Sequence, residues 1–197
     1  MANNTKERIL DAALEIFARD GYAGTNIKDI AESVGIVKSA LYKHFESKEA
    51  IWEAVKNQIA TYYETQVGTP DNLPEIPQTM DELFEFTMKT VDFTIHDQRV
   101  VQVRKVLMTE QFRDEKTRDL ANAYFLYRTE AMFTRIFTSM MQNGAMKKGD
   151  PELLAFSYTA PITALIHLCD RDPKREPEAM EKLQRYIRSF VDVYKQG

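Results

Sequence analysis

An all-α fold is predicted for this chain by three features of its sequence. Apolar residues recur at three- and four-residue steps along most of it. No stretch shows the strict alternation of apolar and polar residues that marks a half-buried strand. The helix breakers are few and clustered, with seven glycines and seven prolines in 197 residues. Together they divide the chain into about nine helices.

The first helix runs from about Thr5 to Arg19, with Ile9, Ala13 and Phe17, and Leu10 and Leu14, on one face. Asn4 and Glu7 have the spacing of a capping box ahead of it, and Gly21 ends it. Thr25 is a natural N-cap for a short second helix, which buries Ile27, Ile30, Ala31 and Val34 and stops at Gly35. A third short helix spans Lys38 to Phe45. Ser47 then caps a fourth, longer helix that packs Ile51, Val55 and Ile59. The stretch from Gly68 to Gln78 holds Pro70, Pro74 and Pro77 and reads as a linker. Further helices are predicted near 79–97, 99–112, 116–142, 151–169 and 175–195, with breaks at Asp97-Gln98, Asn143-Gly144, Gly149-Asp150-Pro151 and Asp172-Pro173. The domain division expected is 1–48 for an N-terminal unit and 49–197 for a C-terminal helical unit, with helix four (about 48–67) as the connection.

The composition is that of a globular chain large enough for a buried core, with 44% apolar and 28% charged residues. No apolar run approaches the ~20 residues of a membrane span, and MANNTKERIL is not a signal peptide. The single cysteine, Cys169, excludes an intrachain disulfide and reads as an inert small hydrophobe. A cytoplasmic location is expected. The net charge of -4 counts against a nucleic-acid partner unless positive charge is concentrated locally.

It is concentrated in the segment GTNIKDIAESVGIVKSALYKHFESKE, Gly24 to Glu49. Two short helices joined by a glycine-containing turn make a helix-turn-helix. Ile27, Ile30, Ala31, Val34, Ile36, Leu41 and Phe45 supply the packing between them. Lys38, Ser39, Tyr42, Lys43 and His44 are left outward, able to donate to phosphates or base edges. Lys48 lies in the first turn of helix four, where free N–H groups also attract phosphate. From Val37 to Lys48 there are three lysines and a histidine against one glutamate.

These residues resemble the tetracycline-repressor (TetR) family of bacterial regulators. The resemblance is carried by Ile9-Leu10-Asp11-Ala12-Ala13…Phe17, Gly21-Tyr22, Thr25…Ile27…Asp29-Ile30-Ala31, Val34-Gly35, Lys38, Leu41-Tyr42, His44-Phe45 and Ser47-Lys48-Glu49. It is specific over roughly the first 60 residues; beyond them, helical layout and length agree. The resemblance implies a homodimeric transcription regulator, usually a repressor, released from a palindromic operator by a small molecule. The ligand would shift helix four and move the reading helices off register. Thr25 would cap helix two and touch a phosphate. Lys38, Ser39 and Lys43 would face the major groove, and Tyr42, His44 and Lys48 would hold phosphates. Asn26 and Lys28, at the head of helix two, complete the set. One departure stands out. Val37 occupies a position where the family commonly has a small hydroxyl residue, and valine cannot cap a helix, at a cost of about 1 kcal/mol.

The resemblance further implies a ligand pocket among the middle helices. Candidates to line it are Phe84, Met88, Phe93, His96, Arg104, Leu107, Met108, Phe125, Tyr127, Tyr158 and His167, with Met132 and Phe133 nearby. Arg104 lies inside an apolar run. Buried, it would need an acidic partner or an anionic ligand; exposed, it needs neither, which is the simpler reading. Phe156, Ile162 and Leu165, with Leu183, Ile187, Phe190, Val191 and Tyr194, form stripes on the last two helices. They are either intramolecular core or, by family position, a dimer seam.

No cofactor or metal is expected. The three histidines lack metal-ligand spacing, no Glu-x-x-His pair occurs, and no nucleophile motif or glycine-rich phosphate loop is present. These absences weigh against an enzyme. The rival to a regulator is an adaptor that keeps the fold without DNA binding, and salt-sensitive binding to one palindromic DNA separates the two.

Overall fold

The computed structural model describes residues 2–67 and 76–196. Among them the chain is helical, with one isolated bridge, Met146 to Lys195, and no strand. The elements are α1 (Ala2–Gly24), α2 (Ile27–Ser33), α3 (Lys38–Leu41), α4 (Lys48–Val67), α5 (Met80–His96), α6 (Gln98–Glu110), α7 (Glu115–Asn122), α8 (Arg128–Gln142), α9 (Pro151–Arg171) and α10 (Glu176–Tyr194). Residues Ala123–Tyr127 continue α7 into α8 as a π-helical turn, with Arg128 N–H donating to the Ala123 carbonyl five residues back. The helix expected over 116–142 is therefore one rod with a bulge. Of the expected linker, 68–75 lies outside the described residues, as does the side chain of Ile59.

Tertiary contacts gather these helices into two compact units. The first comprises 1–66 and 99–118, and the second 67–98 and 119–197. All but the last residue of α4 and all but the first residue of α6 cluster with the N-terminal helices.

The first unit is built on α1, which begins at Ala2, so Asn4 lies inside the helix rather than capping it. Ile9, Leu10, Ala13, Leu14, Ile16 and Phe17 are buried. At Gly21 the backbone turns to φ 70°, ψ 168°, a region open essentially only to glycine, and the helix breaks there. Its core continues through Ile30, Ala31, Leu41, Phe45, Ile51, Trp52 and Val55. Trp52 is 1% exposed, with Phe17 edge-on at 5.3 Å, Tyr22 at 5.9 Å and the Lys56 ammonium 5.4 Å from its ring.

Helix α6 is tied to this unit at both ends. Arg99 pairs with Asp11 of α1 and lies 5.0 Å over the Tyr62 ring of α4. At the far end, Glu110 accepts a hydrogen bond from the Tyr22 N–H at 3.0 Å. Just beyond it, Arg113 donates to Glu49 at 2.9 Å. Val100, Val103, Val106 and Leu107 are buried between these ties. Arg104 is buried with them at 2% exposure, which corrects the exposed reading: at the i, i+4, i+7 spacing it shares a face with Val100 and Leu107.

The second unit packs α8 on α9, α9 on α10, and α5 on both α9 and α10. Its centre is an aromatic stack. Tyr158 lies 5.1 Å from Phe133, 5.4 Å from Phe137 and 4.5 Å from Phe190, and Phe137 stacks on Phe190 at 5.5 Å. The Thr87 hydroxyl gives its proton to the Leu83 carbonyl at 2.8 Å, so Tyr158, 2.9 Å away, donates to Thr87. Burial pushes the Tyr158 hydroxyl well above the ordinary tyrosine range.

Candidate nucleic-acid interface

Helix α2 opens on Asn26, whose side chain accepts from the Lys28 N–H at 3.0 Å. The expected cap, Thr25, has another role. The Thr25 hydroxyl donates to the Gly21 carbonyl at 2.7 Å, beside the Thr25 N–H at 3.2 Å, and Thr25 is 4% exposed. Asn26 takes the cap. The turn into α3 is closed at Gly35 (φ 74°) by Ile36 N–H to Ala31 O and Gly35 N–H to Glu32 O. Arg8 of α1 fastens the turn by donating to the Val34 carbonyl at 2.7 Å.

The reading helix is shorter than the sequence suggests. Regular α geometry covers Lys38–Leu41. It then tightens, with Lys43 N–H bonding to Ala40 O and His44 N–H to Leu41 O, each three residues back. Its N-cap is Val37, with no side-chain cap bond, and the valine is 69% exposed. Lys38, Ser39, Tyr42 and Lys43 are exposed and His44 half-buried, over a floor of buried Leu41 and Phe45. The Lys38 ammonium stands 5.7 Å from the Tyr42 ring. Asn26 and Lys28 are exposed on α2, where Lys28 faces Glu32 at 3.5 Å. Of the nine residues expected at DNA, Asn26, Lys28, Lys38, Ser39, Tyr42 and Lys43 are exposed and His44 is half-buried; these seven make up the solvent-facing set.

Thr25 and Lys48 do not join it in the same way. The Lys48 ammonium donates to the Tyr22 and Thr25 carbonyls, both at 2.8 Å, and lies 4.3 Å over the Tyr22 ring. Tyr22 is the hub of this corner. Its hydroxyl donates to Glu49 at 2.7 Å, and the Arg113 guanidinium sits 3.5 Å over its ring. Burial, with the Glu49 carboxylate next to it, pushes the Tyr22 hydroxyl up to about 12. The bond from Tyr22, aided by Arg113, holds the Glu49 carboxyl below its ordinary value. Sequence reasoning missed this corner. Arg113 is 64 residues from Glu49, and no local pattern pairs them.

Of the expected pocket residues, Phe84 and Tyr127 border described cavities. Phe84 lines a cavity of about 350 Å³ with Asp81, Glu85, Arg188, Val191 and Asp192, and the Arg188 guanidinium lies 4.3 Å over its ring. Tyr127 borders a groove of about 830 Å³ along α8 with Glu130, Thr134, Arg135, Thr138 and Gln142. Phe125 and His167 meet edge to face at 5.2 Å. Tyr158 is core. His96 is a surface residue, paired with Asp92 at 3.0 Å and Glu176 at 3.1 Å. Met88 and Phe93 are half-buried on α5. Arg104, Leu107 and Met108 stand on α6 in the first unit.

The seam residues are also redistributed. Leu183, Ile187, Phe190 and Val191 are at most 8% exposed within the single chain, as is Ile162. They are buried within the chain itself, Phe190 against Tyr158 and Phe137. Leu165 and Tyr194 are half-buried, and Phe156 is 47% exposed. From Leu153 to Ala164 the exposed residues of α9 are Leu153, Phe156, Ser157, Ala160, Pro161 and Ala164, with Leu153 63% exposed. This 21-residue helix is apolar enough overall to match a membrane span by length and composition, contrary to the sequence reading.

Comparison with known proteins bears on the same segment. Residues 9–55 match the profile of "Bacterial regulatory proteins, tetR family". Over 48 residues the chain is 50% identical to IcaR of Staphylococcus aureus, the negative transcriptional regulator of the biofilm operon icaADBC, covering 24% of this chain and 26% of that one. Over 49 residues it is 49% identical to the HTH-type transcriptional regulator YerO of Bacillus subtilis, covering 25% and 17%. The match thus spans about a quarter or less of these relatives. Among solved structures, SmeT, the repressor of the Stenotrophomonas maltophilia multidrug efflux pump SmeDEF, aligns at TM-score 0.69 and 19% identity over 96% of this chain and 90% of its own. SmeT in complex with triclosan aligns at TM-score 0.73 and 18% identity, over 98% and 92%. Reduced NemR of E. coli aligns at TM-score 0.71 and 14% identity, over 98% and 100%. Residues 9–55 thus carry the likeness to the tetR family of bacterial regulatory proteins, and the chain shares its fold with the SmeT and NemR structures.

Proposed function

We propose that this protein is a DNA-binding transcriptional regulator of the repressor type, located in the cytoplasm, released from its operator by a small molecule. The observation that carries this reading is the outward surface of the helix-turn-helix. Asn26, Lys28, Lys38, Ser39, Tyr42, Lys43 and His44 stand on a buried apolar floor, in the segment that matches the tetR profile. Lysines and hydroxyls there suit phosphate oxygens and base edges, and they supply the local positive charge that the whole chain lacks. Thr25 and Lys48 act as scaffold in this reading.

Two reading helices must be spaced about 34–36 Å apart to use a palindromic site, which requires a two-fold dimer. We place its seam on α9, where exposed Leu153, Phe156, Ala160, Pro161 and Ala164 leave apolar surface that the chain itself does not cover. Likeness to the SmeT–triclosan complex supports a small-molecule effector without identifying one here, and we assign its binding to the second unit. Any effector must favour the released state in order to shift the equilibrium.

The test is an anisotropy titration of the full chain against DNA flanking its coding region and against a pool selected from random sequence, at two salt concentrations. Tight binding to one palindrome, weakened by salt and lost in Lys43→Ala/Tyr42→Ala, is expected. Failure to select any sequence overturns the reading. A Phe156→Asp variant that still sediments as a dimer would overturn the placement of the seam.

A further inference from the structure

Val37 contributes little to the fold. It makes no cap bond at the start of α3, it is 69% exposed, and its carbonyl is engaged inside the helix by the Ala40 and Leu41 N–H groups at 2.9 and 3.2 Å. A serine, threonine, aspartate or asparagine there would stabilise α3. What remains is a pair of methyl groups at the leading end of the reading helix, beside exposed Lys38 and Ser39. In a helix-turn-helix the N-terminal residues of the reading helix meet base edges in the major groove. The Val37 side chain neither donates nor accepts a hydrogen bond, so it cannot read the donor and acceptor code. The one apolar mark on that surface is the C5-methyl of thymine.

We infer that Val37 is a specificity residue that selects a thymine, by methyl contact, at one position of each operator half-site. Lys38 and Ser39 read or anchor neighbouring acceptors, while Val37 excludes cytosine there, whose C5 edge is bare and whose exposed amino group would face an apolar side chain. This inference rests on the proposed DNA-binding function and assigns a base to one of its residues.

The experiment first selects the operator from random DNA with the full chain. It then replaces each thymine of both half-sites, one symmetry-related pair at a time, by deoxyuridine, which deletes the methyl and leaves base pairing intact. The wild type is expected to lose about fourfold per half-site at one position, the size of one buried methyl, hence roughly sixteenfold for the pair. Val37→Ala and Val37→Ser should bind the unmodified operator more weakly by a similar factor and be indifferent to uracil at that position. The serine variant also restores a cap, so its loss cannot be assigned to a weakened helix. At the same position, 5-methylcytosine should bind the wild type better than cytosine and make no difference to the variants. Uracil profiles that coincide for wild type and both variants, or a wild type insensitive at every thymine, overturn the inference while leaving the DNA-binding function intact. Failure to select any operator overturns both.

Discussion

Replacing Lys48 by methionine separates two roles for this residue. Methionine keeps an unbranched stem over the Tyr22 ring but removes the ammonium, and with it two hydrogen bonds of 2.8 Å to the Tyr22 and Thr25 carbonyls. A hydrogen bond from a charged donor contributes about 1.5–3 kcal/mol. The Tyr22 carbonyl retains a longer bond from the Thr25 N–H at 3.3 Å, and the lysine is half-buried rather than enclosed. The two losses together therefore come to about 2–3 kcal/mol. For a chain of this size that lowers Tm by roughly 4–12 °C. DNA affinity falls as the corner loosens, but the dependence of log affinity on log salt should not change. Thermal unfolding and operator titrations at four or five salt concentrations supply both readings. A salt slope reduced by about 0.9 per protomer, with Tm unchanged, would mean that Lys48 neutralises a phosphate, and the scaffold argument would fail.

Other perturbations are equally direct. Gly21→Ala places a Cβ 3.2 Å from the Glu110 carboxylate at a φ of +70° and should destabilise the chain by about 1–3 kcal/mol in denaturant unfolding. Tyr158→Phe leaves the Thr87 hydroxyl without its donor in the core and should cost about 1–2 kcal/mol, with no change in operator preference. At His96, burial works against the charged ring, but Glu176 and Asp92 outweigh it and the net shift is upward. Its contribution to stability is thus full below the ordinary histidine value and is lost as pH rises through the folded-state value. The ring is exposed, so the effect is a few tenths of a kcal/mol. Stability measured from pH 5 to 8 should fall slightly more in the wild type than in His96→Gln, and parallel curves would remove the assignment.

The helices were legible because each buries one stripe, and a stripe leaves its period in the sequence. The defective cap at Val37 was legible for a similar reason, since capping is a property of one side chain and its neighbours. The cap of α2 was harder. Thr25 and Asn26 are both good caps, and Asn26 takes the role while the threonine hydroxyl bonds back to the Gly21 carbonyl. Lys48 was assigned to DNA by position, but its direction depends on where the chain around Tyr22 runs. For α10, the stripe of Leu183, Ile187 and Phe190 was correctly seen, but a stripe does not say what covers it. Here it is buried within the same chain, with Tyr158 against Phe190, and exposed apolar residues lie on α9. The attachment of α6 to the N-terminal unit rests on Arg99–Asp11 and Arg113–Glu49, pairs too distant in sequence for periodicity to reveal.

The burial of Trp52 against Phe17 and Tyr22 has an optical consequence. The chain has nine tyrosines but a single tryptophan, so red-edge excitation addresses one indole, in the first unit. Emission from that ring reports on the corner where Tyr22, Lys48, Glu49 and Arg113 meet. A small molecule taken up by the second unit that alters this emission without quenching it directly must have acted through the polypeptide. The single indole is thus a built-in reporter on the first unit, readable in the unlabelled wild type.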